Sequence, residues 1–256
     1  MKRIMRIAAL VLALLLATIL FAGCASTPTV DVIKSRGKLV MLTNAGFPPF
    51  EYVSEGAVCG VDVDIAREIA AELGVELEIQ DMDFDGIIGA IKSGKGDLGI
   101  AGMSVTEERL KNVDFSVNYV DSKLVILVKD GNTEITGADT LSGKKIGVQS
   151  GTTSDVIATG VDGAEILRYK TFLDAATAMK SGKCDAVVVD EMTANEILAV
   201  NKDIVMLEEV LSTEQYAICM RKGNESLQEV VNTVLNRLLA EGKIDEYIAN
   251  HMASGE

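Results

Sequence analysis

The chain has 256 residues, with 38 Asp and Glu against 24 Lys and Arg, a net charge of −14, and 48% hydrophobic residues. So acidic a chain cannot neutralise a phosphate backbone, which excludes nucleic acid as a partner and disfavours docking on anionic lipid by charge. The length suffices for one large core or two moderate ones. Its four cysteines show no metal-ligand spacing, and its one histidine, His251, stands near the end. Neither a zinc site, a Cys/His nucleophile pair nor any cofactor is expected. Whether Cys59 pairs with Cys219 stays open.

The first residues, Met1-Lys2-Arg3-Ile4-Met5-Arg6, are basic, an apolar run follows to Ala22, and small residues lead to Cys24. This is a secretory signal pattern, too short for a membrane span. Phe21-Ala22-Gly23-Cys24 resembles a bacterial lipobox, so residues 1–23 are expected to be removed and Cys24 lipidated. Removal takes away Lys2, Arg3 and Arg6 and no acid, moving the net charge from −14 to −17. The expected location is extracytoplasmic, held to the membrane by the N-terminal lipid. Residues 24–30 read as a linker.

From there strands and helices alternate. Lys38–Leu42 reads as a strand, 44–50 as a turn, and Val61–Leu73 as a helix with Ile65, Ile69 and Leu73 on one face and Gly74 as its stop. A short strand at 77–79, a helix over 84–93 and a strand over 97–101 follow. That strand runs into Gly102-Met103-Ser104-Val105-Thr106-Glu107-Glu108-Arg109. A small-residue turn with hydroxyls and an arginine at a helix start suits a planar carboxylate. A second series holds strands at 122–128, 145–148 and 184–190, the Gly/Thr turn 149–155, and a helix over 171–181. A strand at 216–220 precedes a helical tail over 227–249. The βα rhythm implies parallel sheets covered by helices. Ser93-Gly94-Lys95-Gly96-Asp97 returns as Ser181-Gly182-Lys183-Cys184-Asp185, each between a helix and a buried strand, which supports two lobes of similar build.

The motifs 44–51, Gly60-Val61-Asp62-Val63-Asp64-Ile65-Ala66, 82–88, 101–109, 113–116 and 146–153, taken together and in order, resemble the bacterial extracellular solute-binding proteins of family 3. These are the polar amino acid receptors of ABC importers. The resemblance implies an α/β, two-lobed, periplasmic-binding-protein-like fold of type II, each lobe a mostly parallel sheet flanked by helices, joined by two hinge strands. Lobe 1 would be 31–118 plus 215–256, lobe 2 would be 123–211, and the hinge 119–122 and 212–214. The expected partners are a free polar amino acid, glutamine or arginine/lysine-like, and ABC permease subunits.

On that resemblance Arg109 grips the ligand α-carboxylate with Ser104, beside Ala101 and Gly102. Thr152 and Thr153 complete that site from lobe 2, and Asp190 accepts from the α-ammonium. The residues alone allow plainer roles: a surface arginine, a Ser104-x-x-Glu107 capping box, an N-cap at Thr152, and a capping Asp190. Phe47 and Phe84 match positions that sandwich the ligand side chain, while Phe50 reads as core. Asn44 and Gln149 would hydrogen-bond a polar side chain, with Asp85 adding cationic preference if it faces the cleft. A binding protein, not an enzyme, is expected. The alternative is a cyclohexadienyl-dehydratase-like enzyme on the same fold using Asp190 as a poised acid, although an ammonium partner would keep that acid ionised. A sensory module built into one chain is disfavoured, since no second membrane segment or signalling domain follows.

Overall fold

The computed structural model describes residues 29–252. The expected signal peptide, Cys24 and most of the linker lie outside the described residues. Helix α1 (Val30–Arg36) leads into β1 (Lys38–Thr43), the small strands β2 (Gly46–Phe47), β3 (Glu51–Ser54) and β4 (Ala57–Cys59), and α2 (Val61–Leu73). Strand β5 (Glu76–Asp81), a 3-10 turn at Phe84–Gly86, α3 (Ile87–Lys92), β6 (Leu98–Gly99), α4 (Glu107–Leu110) and β7 (Val113–Phe115) follow. The chain then crosses on β8 (Val120–Lys129) to β9 (Lys145–Gln149), α5 (Thr153–Thr159), β10 (Glu165–Tyr169), α6 (Phe172–Lys180), β11 (Ala186–Asp190) and α7 (Glu191–Val200). It returns along β12 (Ile204–Tyr216) to β13 (Cys219–Arg221), α8 (Glu225–Ala240) and α9 (Lys243–His251).

Two five-stranded sheets result, in the orders β5-β1-β6-β13-β7 and β10-β9-β11-β8-β12. In each, the fourth strand runs against the other four: β13 in the first sheet and β8 in the second. The sheets are thus mixed, each with one strand opposed to an otherwise parallel set. That opposed strand is one the chain lays down after crossing from the other sheet. Strands β8 and β12 pair antiparallel over a long register, from Val120 with Tyr216 to Lys129 with Ile204.

The local echo between the halves is structural. Ser93 Oγ and Ser181 Oγ donate to Ala90 O (3.0 Å) and Ala178 O (2.9 Å). Asp97 and Asp185 each accept, at 2.8 Å, from the first paired strand: from Val40 N and from Lys145 N. Each aspartate therefore fastens a helix end to a strand start, which places the following strand and the turn beyond it.

Several elements were not legible in sequence. The β3–β4 hairpin turns on Glu55-Gly56, both with positive φ (51° and 80°), the twist a two-residue hairpin demands without its usual Asn-Gly pair. The predicted strand 216–220 is divided, Tyr216 closing β12 and Cys219 opening β13, and the helical tail breaks at Glu241-Gly242. Cys59, Cys184 and Cys219 are all free.

The signature beginning at Gly60 docks on the 47–50 loop. Val61 N and Asp62 N donate to Pro49 O (3.1 Å) and Phe50 O (3.0 Å). Gly60 has φ 129°, and a Cβ there would stand 2.1 Å from Phe50 O. Gly60→Ala is therefore expected to cost at least ~3 kcal/mol in denaturant unfolding. Gly89→Ala, on the exposed side of α3 with nothing within 4 Å of the added carbon, should instead gain roughly 0.5–1 kcal/mol of stability.

Candidate functional site

Where the two sheets face each other, one cavity is lined by Phe47, Phe84, Ala101, Gly102, Ser104 and Arg109 from the first lobe and by Gln149, Thr152, Thr153, Phe172 and Asp190 from the second. All of these but Phe172 were singled out in sequence, and of the expected ligand-binding residues Asn44 alone is absent from the lining. Each stands just beyond a strand end or at a helix start, the usual place for a ligand on such sheets.

Arg109 is buried on α4, whose N-cap is Thr106; the Thr106 hydroxyl accepts from Arg109 N at 3.2 Å. The alternative capping box at Ser104 is not formed, because the helix starts at Glu107, and the Ser104 hydroxyl makes no hydrogen bond among the described residues. The guanidinium donates to Ser104 O (2.7 Å) and, across the cleft, to Gly151 O (3.1 Å), and it lies 5.3 Å from the centre of the Phe84 ring. Among the described residues no carboxylate forms an ion pair with it. Burial lowers its pKa, and the more distant Glu214 and Asp190 act in the opposite direction.

Asp190 is also buried, at the end of β11. Its Oδ1 accepts from the Tyr216 hydroxyl and from Ser122 Oγ (3.4 Å), and among the described residues no cation pairs with it. Burial pushes its pKa up to about 7, with nearby Glu214 adding to the rise and the two hydroxyls opposing it. The plainer alternative of a side-chain helix cap does not hold: Asp190 makes no side-chain cap bond to α7.

The far end of the cavity is neutral. Gln149 Nε2 donates to Asn44 Oδ1 (2.7 Å) and Lys170 O (2.9 Å), and Asn44 Nδ2 donates to Met82 O (2.8 Å). Asn44 thus orients Gln149 rather than lining the cavity, and Gln149 Oε1 accepts no hydrogen bond among the described residues. Asp85 accepts from Ser150 Oγ (3.0 Å) at the outer rim, where Asp83 pairs with Lys170 (3.2 Å).

One expectation needs correction. The Thr152 hydroxyl caps α5, donating to Gln149 O (2.8 Å) and accepting from Asp155 N (3.2 Å), so it is not free for a ligand. The N–H of Gly102 is taken by Asp62 Oδ2 (2.9 Å). Phe50 is core as expected, stacked 5.4 Å from Phe47, and Phe172 sits 5.6 Å from Phe47 on the other side. Phe172 was missed, yet the echo marks it: Phe84 and Phe172 stand at the same offset before Ser93 and Ser181.

Two α/β lobes with a charged, aromatic-walled cavity between them define a type II periplasmic-binding-protein fold. The model of "bacterial extracellular solute-binding proteins, family 3" matches residues 39–254, and the chain belongs to that family. It is 32% identical to a probable histidine-binding protein of Campylobacter jejuni over 88% of this chain and 89% of that one. The arginine-bound form of ArgBP from T. maritima is 47% identical with a TM-score of 0.79, over 81% of this chain and 99% of that one. An ancestral arginine-binding protein was solved with arginine (41% identical, TM-score 0.81, 85% and 99% covered) and with glutamine (42%, 0.77, 86% and 99%).

The buried acid has a measurable consequence. A carboxyl whose pKa is raised on folding adds stability that is complete below its unfolded value, ~4, and is lost as pH rises to the folded value, about 7 for Asp190. Asp190→Asn removes that loss. Its stability advantage over the natural chain, measured without ligand by denaturant unfolding, should grow from pH 4 to 7 and then level off.

Proposed function

We propose that this protein captures the zwitterion of a free polar L-amino acid outside the cytoplasm, arginine first and glutamine second, and delivers it to an ABC importer. The observation that carries this is the burial of Arg109 and Asp190 in one cavity, neither neutralised by an ion pair. An α-amino acid supplies the two missing charges at adjacent atoms. In this reading Arg109 and the Ser104 hydroxyl hold the α-carboxylate, helped by backbone N–H at Thr152 and Thr153, and Asp190 holds the α-ammonium. Phe47, Phe84 and Phe172 wall the side chain. Gln149 Oε1, fixed by Asn44, accepts from its terminal N–H groups, which both arginine and glutamine carry and glutamate lacks.

The similarity to arginine-bound structures supports arginine, as does Asp85 near the rim. A dehydratase would need Asp190 as its acid, and the raised pKa alone fits that. The unpaired guanidinium and the relatives named as binding proteins favour capture. The lobes (31–118 with 215–256, and 123–211) would close about 119–122 and 212–214, which the β8–β12 pairing sets side by side. Lipidation of Cys24 would keep the protein beside its permease.

The test begins with protein unfolded and refolded to remove carried-over ligand. Arginine or glutamine at ~1,000 times its dissociation constant should add ~4 kcal/mol, roughly ten degrees in melting temperature, and glutamate should add nothing comparable. Arg109→Ala should weaken binding at least ~30-fold, since it strips a buried carboxylate of its partner. No response to any amino acid, with a shift by a cyclic carboxylate, would overturn the reading.

Binding should also be coupled to a proton. The ammonium requires ionised Asp190, whose pKa in the empty site is about 7. Below that pH affinity is expected to fall, approaching tenfold per unit, and calorimetry in buffers of different ionisation enthalpy should show proton release. Above pH 8 both effects should vanish.

A further inference from the structure

Beneath the cavity lies a group of acids that the proposed binding does not use. Glu51 on β3 and Asp62 on α2 are 1% and 0% exposed, and their carboxyl groups are in hydrogen-bond contact. Two carboxylates have no donor between them, so this contact requires a proton. Asp62 accepts at its other positions: Oδ2 from Gly102 N (2.9 Å) and Oδ1 from the Tyr119 hydroxyl (2.8 Å). With its oxygens turned to those two donors, Asp62 is the carboxylate and Glu51 the proton's holder. Glu51 Oε2 has no partner among the described residues.

The surroundings agree. The acids facing the pair from neighbouring elements are Asp81 at the end of β5 and Asp190 at the end of β11, with the hydroxyls of Tyr119 and of Tyr216 on β12. Neither Glu51 nor Asp62 joins a salt bridge among the described residues. Burial is the largest influence on both, raising Glu51 well above the usual carboxylate range and Asp62 to about 6.

What the pair holds is the cleft wall. Gly102 lies against the Phe47 ring, where a Cβ would approach to 2.4 Å, and Phe47 pairs with Glu51 across the β2–β3 ladder. Tyr119 immediately precedes the crossing strand β8. We propose that Glu51 is a positioning residue: the proton it shares with Asp62 lets two buried acids sit together, and so ties Gly102 and Phe47 of the cavity to Tyr119 at the crossover. The inference rests on the amino acid binding reading only in its affinity arm.

Three readouts on the full chain test it: the pH slope of unfolding without ligand, hydrogen exchange at the Gly102 amide, and arginine affinity. Glu51 keeps a proton that the unfolded form releases, so it should contribute up to about a tenfold rise in the unfolding constant per pH unit from pH 5 toward 7, in addition to the rise from Asp190 and Asp62. Glu51→Gln donates the same hydrogen bond without titrating. It should flatten that slope by about one proton while keeping Gly102 protection, and should bind arginine within about threefold of the natural chain. Glu51→Ala should flatten the slope too, but lose at least about tenfold in Gly102 protection and in affinity. Parallel slopes for the natural chain and Glu51→Gln would overturn the proposal, as would a folded Glu51→Ala that keeps its Gly102 protection. If Glu51→Ala does not fold, the slope of Glu51→Gln decides. Silence toward every amino acid would count against the proposed function alone, because the first two readouts need no ligand.

Discussion

The molecule is organised around two opposite charges that are buried within one cavity and kept from neutralising each other. Taking an unpaired ion out of water costs several kcal/mol even after relaxation. The chain offsets part of this with neutral groups. Arg109 leans on two carbonyls and the Phe84 face, and Asp190 leans on two hydroxyls. The residue of that cost appears as a guanidinium pKa shifted down and a carboxyl pKa shifted up, both led by burial. A direct ion pair would have been cheaper and would have closed the site to a zwitterion. Stability given up in this way is a common signature of a functional site.

Holding the charges apart requires both lobes, which meet through the Phe47 and Phe172 rings and through a set of specific hydrogen bonds. Arg109 reaches Gly151 O, Gln149 reaches Asn44, and Thr193 Oγ1 donates to Pro48 O at 2.7 Å. At the exposed rim, Lys170 meets Asp83 and Ser150 meets Asp85. Exposed pairs of this kind contribute ~0–1 kcal/mol each.

The long periodic elements were legible because burial writes itself into spacing: α2 buries Ile65, Ile69 and Leu73 as its pattern implies. The small hairpin was not, since Glu55-Gly56 achieves its twist without the customary residues. Strand β12 was not, because its burial follows no steady alternation and its register shifts on either side of Val210. At the site, residue types identified Arg109 and Asp190 as candidates but could not reveal what else their neighbours were bonded to. Thr152 and Gly102 lie at the cavity, yet a helix cap and a buried aspartate claim their polar groups. Asn44 was marked for the ligand and instead orients Gln149. Those assignments depend on contacts between segments far apart in the chain, which spacing alone does not encode.

The echo carries more information than its length promised. Anchored on Asp97 with Val40 and Asp185 with Lys145, it sets Asn44 in register with Gln149, Phe84 with Phe172, and Gly102 with Asp190. The first pair joins amide to amide across the cavity, and the second places a ring on each side. The third is where the halves part: one lobe offers a backbone N–H already bound to Asp62, and the other a carboxylate of its own. Two similar lobes facing each other would by themselves form a nearly symmetric cavity, suited to a symmetric occupant. An amino acid is not symmetric about its α-carbon. Asp190 opposite Gly102, with Arg109 outside the echo, breaks the likeness at the points where the ligand's two charges would differ.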